Sequence, residues 1–385
     1  MKHQSVRWAA GFLISAAVVG QCGAATTISP DDPRISYGGY VRRELVTPSD
    51  AAQGKFVRFD RILDIAGKGY RWDNPGVSIR FRTDATELTA ILNYSDFHTS
   101  ATARNGTGVY SVDGIFKPEW SFQTRQKGVL REPETVTAAL SNGGTAGFHQ
   151  YEIFLPYGDS VEFAGLRVNA EARFEPGKTD SPVRYVAYGD SITHGFSASD
   201  ISKTYPFLVA KEKGWQAINL GLGGRSSTAA DGKLVGALKA DVVTVLMGAN
   251  DWQGGASLDR YRTNMVVFIS NIRLLQPEVP VYLLTPLWVH SSWNPPGKIT
   301  DLENYRKVLR EIVAARKDPN LHVIEGPELI DPVLSLFDRA PIHPNDKGFA
   351  MLAERLAKRI QAPVKKQGAP SVSYTHLTLP TNREV

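Results

Sequence analysis

Four residues of this chain are of types that could do chemistry together: Ser191, Gly224, Asn250 and His343. Ser191 stands in Gly189-Asp190-Ser191, directly after the apolar run Tyr185-Val186-Ala187-Tyr188. Gly224 closes the block Asn219-Leu220-Gly221-Leu222-Gly223-Gly224, Asn250 lies in Gly248-Ala249-Asn250-Asp251, and His343 opens His343-Pro344-Asn345-Asp346. A serine hydroxyl is a poor nucleophile until a base accepts its proton, and histidine suits that task near neutral pH. The tetrahedral intermediate of acyl transfer carries an oxyanion that needs preorganised donors. The backbone N–H groups of Ser191 and Gly224, with the Asn250 side-chain amide, offer such donors, and glycine at 224 brings no Cβ between backbone and substrate. This set is what ester hydrolysis requires. Gly-Asp-Ser before a helix is by itself more often a cap than a nucleophile; the three other blocks turn the reading toward a nucleophile.

The elements around these residues place them together. Across residues 181–365, the apolar runs at 184–190, 216–221, 241–248, 279–286 and 321–326 alternate with helical stretches at 257–275, 301–317 and 347–361. Buried strands interleaved with helices indicate an α/β fold, a three-layer doubly wound parallel sheet with helices on both faces. Sites in such sheets lie beyond the carboxyl ends of the strands, and each block follows a run. Residues 26–175 read differently. Short segments of alternating apolar and polar residues, such as 55–65, 76–83, 87–95, 108–114, 151–157 and 161–169, are separated by Gly-, Asn- and Pro-rich turns. They indicate an all-β sandwich or jelly roll ahead of the α/β part.

The blocks "GDSIT", "NLGLGG", "GAND" and "HPND", in this order and at strand ends, resemble those of the SGNH (GDSL-type) hydrolases. The resemblance implies a flavodoxin-like hydrolase domain with Ser191 as nucleophile, His343 as base, and Ser191, Gly224 and Asn250 as the oxyanion hole. The β part, through "HQYEIFLPYGDSVEFAGLRV", resembles the front domain of two-domain carbohydrate acetyl esterases. One position departs from the family. Three residues before the histidine, where an aspartate is usual, stands Ala340. An acid there would hold the imidazole in its working tautomer and stabilise its charged form. Three outcomes stay open: a Ser–His dyad oriented by a backbone carbonyl, which the reading favours; Asp338 reaching round as the histidine-orienting acid; or an impaired site.

Other residues draw plainer readings. Asp190 is expected to brace its own turn, Asp251 to cap a helix or fix a loop, and His194 to sit at the rim or act as a cap. Trp252, Trp288 and Trp293 are candidates for a substrate platform, because indole faces stack on sugar C–H surfaces. For Trp288 and Trp293, beside His290, a loop packed by its own aromatics is an equal alternative. His98 and His149 read as ordinary residues of the β part. No histidine pair has metal-ligand spacing and no glycine-rich loop reads as a phosphate cradle, so neither metal nor cofactor is expected.

Composition and termini bound the function. Apolar residues make up 42% and charged residues 22% of the 385 residues, as in an ordinary globular protein. The net charge of +5 comes without a basic run, so nucleic acid is not an expected partner. Residues 1–25 have a basic start, an apolar stretch too short to span a membrane and small residues at its end, the layout of a secretory signal peptide. Cys22 is the sole cysteine, and Gln21 before it argues against lipoprotein processing. Residues 366–385 form a linker and a tail, "SVSYTHLTLPTNREV", that reads as non-native sequence. The expectation is a secreted or periplasmic serine esterase that removes O-acyl, chiefly O-acetyl, groups from carbohydrate, without integral membrane association. The alternatives are a lipid esterase, thioesterase or acyltransferase of the same family, or a carbohydrate-binding protein with a decayed site.

Overall fold

The computed structural model describes residues 25–49, 54–63, 70–96, 107–117, 120–121, 125–126, 129–130, 134–158, 160–290, 301–338 and 342–363. Two antiparallel sheets form the N-terminal half. One joins Glu134–Ala139, Leu88–Asp96, Ser160–Val168, Phe56–Asp60 and Arg42–Val46 in that spatial order, with Thr26–Ile28 paired to Ser160–Val168. The other is centred on Ser78–Thr83, His149–Phe154 and Thr107–Val112. Alternate residues of both sheets, among them Ile79, Phe81, Leu92, Ile153, Phe163 and Leu166, fill one shared apolar core. Facing sheets with alternating inward residues make a β-sandwich.

Strand Arg42–Val46 escapes the alternation because it is an edge strand with Arg42, Arg43 and Glu44 exposed, and charge on an edge discourages pairing with other chains. The alternating stretch at 55–65 ends as a strand at Asp60. The buried Asp60 carboxylate takes the Arg42 and Arg71 guanidinium groups and the Ile62 N–H. The chain then turns through Ile62 at φ 62°, in the left-handed region that β-branched residues avoid.

The second half is a five-stranded parallel sheet. Its strands, Arg184–Gly189, Gln216–Gly221, Val242–Leu246, Val281–Leu284 and Leu321–Ile324, are taken as first to fifth in sequence and stand in the order second, first, third, fourth, fifth. They match the apolar runs of the sequence, and the first, third and fourth are buried on both faces over nearly their whole length. One face packs on helices Asp231–Ala237, Leu258–Leu275 and Leu302–Arg316, the other on Tyr205–Lys213 and Asp346–Ala357. Ser257 and Asp301 cap the second and third of these, accepting from Arg260 N–H and Glu303 N–H. Strand order reverses at the first strand, the switch point where such sheets open a crevice.

The sandwich covers the edge of this sheet. Gly39 and Gly76 lie against Ala217 and Asn219 of the second strand; a Cβ on Gly39 would stand 3.3 Å from the Ala217 carbonyl oxygen. Among the described residues no helix is long and apolar enough to cross a membrane.

Candidate active site

The switch point gathers the four sequence blocks. Ser191 begins the one-turn helix Ser191–His194 just past the first strand. Gly224 follows the second strand, exposed and at φ 75°, a conformation glycine adopts without strain. Asn250, partly buried, opens the helix Ala249–Gly254 past the third strand. His343 arrives from the loop after the fifth strand. Its Nε2 stands 2.8 Å from Ser191 Oγ, a hydrogen bond across 152 positions of sequence.

The serine turn is held from several sides. Asp190 is buried and its carboxylate accepts from the Ile192 N–H at 2.9 Å. Burial pushes its pKa up to about 7, and the Asp251 charge adds to the rise. Gly195 closes the turn in the left-handed conformation. The Asn219 amide donates to the Thr193 carbonyl at 2.8 Å, and the Leu222 N–H to the Gly189 carbonyl at 3.0 Å, so the serine turn and the loop carrying Gly224 are tied together. Asp251 anchors the far end of that loop: its carboxylate accepts from the Ser227 N–H at 2.9 Å and the Ser227 hydroxyl at 2.6 Å. Asp251 thus fixes a loop, one of the two roles its sequence position suggested.

The histidine is held differently. Asn345 caps the helix Asp346–Ala357 through the Lys347 and Gly348 N–H groups and donates to the Ser335 and Phe337 carbonyls. The Asp338 N–H donates to the His343 carbonyl at 2.9 Å, which closes the loop. The Phe196 ring lies 4.7 Å from the imidazole, centroid to centroid. Half-buried in this way, with its Nδ1 shielded, His343 has its pKa pushed down by desolvation to about 4, with the Asp338 charge pulling the other way. It is therefore neutral, and free to accept a proton, at neutral pH. Its Nδ1 is buried without a hydrogen-bond partner among the described residues. Among the described residues neither a carbonyl nor a carboxylate bonds to that nitrogen, and Asp338 bears on the ring through its charge on the pKa. Ala340 lies outside the described residues.

The aromatic residues divide. Trp252 is 3% exposed and packs in the core between sheet and helices. That corrects the expectation of a platform: helix Ala249–Gly254 turns this indole inward, away from any substrate. Trp288 is half-buried, tilted against Phe337 at 5.3 Å and edge-on to His290 at 5.7 Å, so it packs within its own loop region. Trp293 lies outside the described residues. His194 is buried, neither rim nor cap, and its Nε2 stands 3.2 Å from Asp73 Oδ2 of the sandwich. Phe196 and Asp73 carried no sequence signal, since neither belongs to a block and Asp73 lies more than a hundred residues upstream.

A cavity of about 540 Å³ lies elsewhere, along the seam between sandwich and second strand, lined by Arg80, Glu152, Phe207 and Trp215 among others. Ser191 and His343 do not line it. Among the described residues no group of His, Cys, Asp or Glu side chains could hold a metal ion.

Residues 187–351 match the GDSL-like lipase/acylhydrolase family. All four blocks lie within that stretch. By sequence, no curated protein matches the chain. Solved structures share the whole architecture. The salicylyl-acyltransferase SsfX3 from a tetracycline biosynthetic pathway is 22% identical with a TM-score of 0.73, over 87% of this chain and 96% of that one. A family two carbohydrate esterase from Cellvibrio japonicus is 16% identical with a TM-score of 0.63, over 87% and 97%. Another, from Clostridium thermocellum in complex with cellohexaose, is 15% identical with a TM-score of 0.62, over 84% and 97%. At these identities the likeness is one of fold: an N-terminal β-sandwich joined to a parallel α/β sheet.

Proposed function

We propose that the protein is an exported serine esterase that removes O-acyl groups, acetyl foremost, from carbohydrate. The observation that carries this reading is the 2.8 Å contact between Ser191 Oγ and His343 Nε2, the arrangement of nucleophile and base that acyl transfer needs. Ser191 Oγ attacks the ester carbonyl while its proton passes to Nε2. The oxyanion is met by the Ser191 and Gly224 N–H groups and the Asn250 amide. Collapse breaks the bond to the sugar oxygen, which leaves with the proton from Nε2. Water then attacks the acyl-serine, giving its proton to Nε2, and carboxylate and free Ser191 result. His343 works as half of a dyad: burial keeps it neutral for the first step, and the Asp338 charge stabilises the imidazolium that forms.

Carbohydrate as substrate class is supported by fold likeness to the family two carbohydrate esterases, one of them bound to cellohexaose. Export is supported by the basic and then apolar start of the chain. Likeness to an acyltransferase favours a second reading, in which an alcohol other than water takes the acyl group.

Acetate release from a panel of acetylated polysaccharides tests both. Release that Ser191→Ala and His343→Ala abolish is expected, each variant losing about 10⁴-fold or more. Activity that survives Ser191→Ala overturns the mechanism, preference for long acyl chains overturns the substrate class, and transfer to an added alcohol in place of hydrolysis establishes the second reading. No turnover in the unaltered protein would mark a decayed site.

A further inference from the structure

Three residues of the sandwich converge on the turn that carries Ser191. Arg61 donates to the Gly221 carbonyl, at the end of the second strand. Asp73 places Oδ2 3.2 Å from His194 Nε2 and 4.0 Å from an Arg61 terminal nitrogen. Tyr157 donates from its hydroxyl to the Ala198 carbonyl at 3.1 Å and sets its ring edge-on to the His194 imidazole at 5.5 Å. The Arg61, Asp73 and His194 side chains are only 6%, 0% and 4% exposed. Burying groups of this kind is costly unless opposite partners stand close by, and here Asp73 stands within 4.0 Å of both Arg61 and His194. The same end of the turn is packed on the second strand: a Cβ on Gly221 would fall 1.9 Å from the His194 backbone nitrogen.

The two points the sandwich grips are the two that matter to the chemistry. His194 is the last residue of the turn that Ser191 opens, and Gly221 precedes the loop that presents the Gly224 N–H by only three residues. We propose that Asp73, with Arg61 and Tyr157, is a positioning residue: the sandwich sets the distance between the Ser191 nucleophile and the oxyanion donors through His194 and Gly221. The inference rests on the reading of Ser191 as nucleophile. It gives the sandwich a part in turnover that does not require it to touch substrate. Misplacing a catalytic group by about 1 Å can cost on the order of 10²-fold in rate, so a grip on both partners of the geometry acts on kcat.

The test compares Asp73→Asn, which keeps size and shape, with the unaltered protein on 4-nitrophenyl acetate at a temperature where circular dichroism shows both fully folded. The expected result is a fall in kcat of about 10–100-fold with KM and the acid limb of the pH profile unchanged, since His343 is untouched. A kcat equal to that of the unaltered protein, with only Tm lowered, overturns the proposal and leaves these residues as interface packing. Should Asp73→Asn not fold, Tyr157→Phe, which removes a single hydroxyl, decides in the same way: reduced kcat at constant KM supports the proposal and unchanged kcat ends it. Ser191→Ala run alongside separates the two levels, because activity surviving in it defeats the esterase reading itself, whereas an inert Ser191→Ala with an unaffected Asp73→Asn defeats only the positioning role.

Discussion

The turn that carries Ser191 and the loop that carries His343 meet at one hydrogen bond, yet they are built on opposite plans. The serine turn is tied by polar links: the Asp190 cap, the Asn219 and Leu222 bonds, and the sandwich residues on His194 and Gly221. The histidine ring is held by packing against Phe196 and by its short loop, with Nδ1 unbonded among the described residues. Burial pushes both ionisable groups toward their neutral forms, so Asp190 titrates high and His343 low. The difference teaches where preorganisation lies. On the proposed mechanism, the side that carries the nucleophile is held by hydrogen bonds before substrate arrives, while the base relies on packing and a nearby charge.

Removing a proposed oxyanion donor tests the hydrogen-bonded side directly. Asn250→Ala should lower kcat by about 10²–10³-fold, roughly 3–4 kcal/mol of transition-state stabilisation, with KM little altered; steady-state kinetics on a small acetyl ester would show it.

A smaller effect separates the two sides by their protons. Between pH 3.8 and about 7 the native state keeps a proton on Asp190 that the unfolded chain has released, so stability from this group falls as pH rises. His343 has the opposite sign: between about 4 and 6.5 the unfolded chain binds a proton the native state refuses, and stability rises with pH. Asp190→Asn removes the first slope alone. Relative to the unaltered protein, its unfolding free energy should then climb with pH by up to about 1.4 kcal/mol per unit across this window. Urea unfolding at several pH values measures it, and parallel curves would show that Asp190 is ionised throughout.

The mildest changes fall on the histidine side and run in opposite directions. Asp338→Asn takes away the charge that raises the His343 pKa, so the acid limb of kcat/KM should move below about pH 4. Phe196→Ala admits water to the imidazole and should move that limb upward. Activity at neutral pH should fall less than about tenfold in Asp338→Asn, against the ~10⁴-fold seen when a hydrogen-bonded triad acid is lost. A loss of that larger size would mean that Asp338 bonds to the ring in the working enzyme.

Much of this molecule is legible along the chain because its signals are local. Five apolar runs become five strands, since a strand buried on both faces must be apolar throughout. Long helices announce themselves by caps such as Ser257 and Asp301. The four blocks sit at strand ends because the fold places reactive residues there. For Trp252, read from the sequence as a platform candidate, position in the chain could not tell an indole facing substrate from one facing the core. The exposed edge strand Arg42–Val46 likewise carries charges in place of an alternating pattern.

The amino-acid sequence by itself therefore determined the two architectures, the alternation of parallel strands with helices, and the choice of Ser191 and His343, which the fold brings into contact. Tertiary structure alone decided what supports them. The packing of His343 against Phe196 and the approach of Asp73 to His194 join residues that share no local pattern. The physical reason is range: periodicity and capping act over a few residues, whereas desolvation and the pairing of buried charge depend on which distant surfaces close over a group.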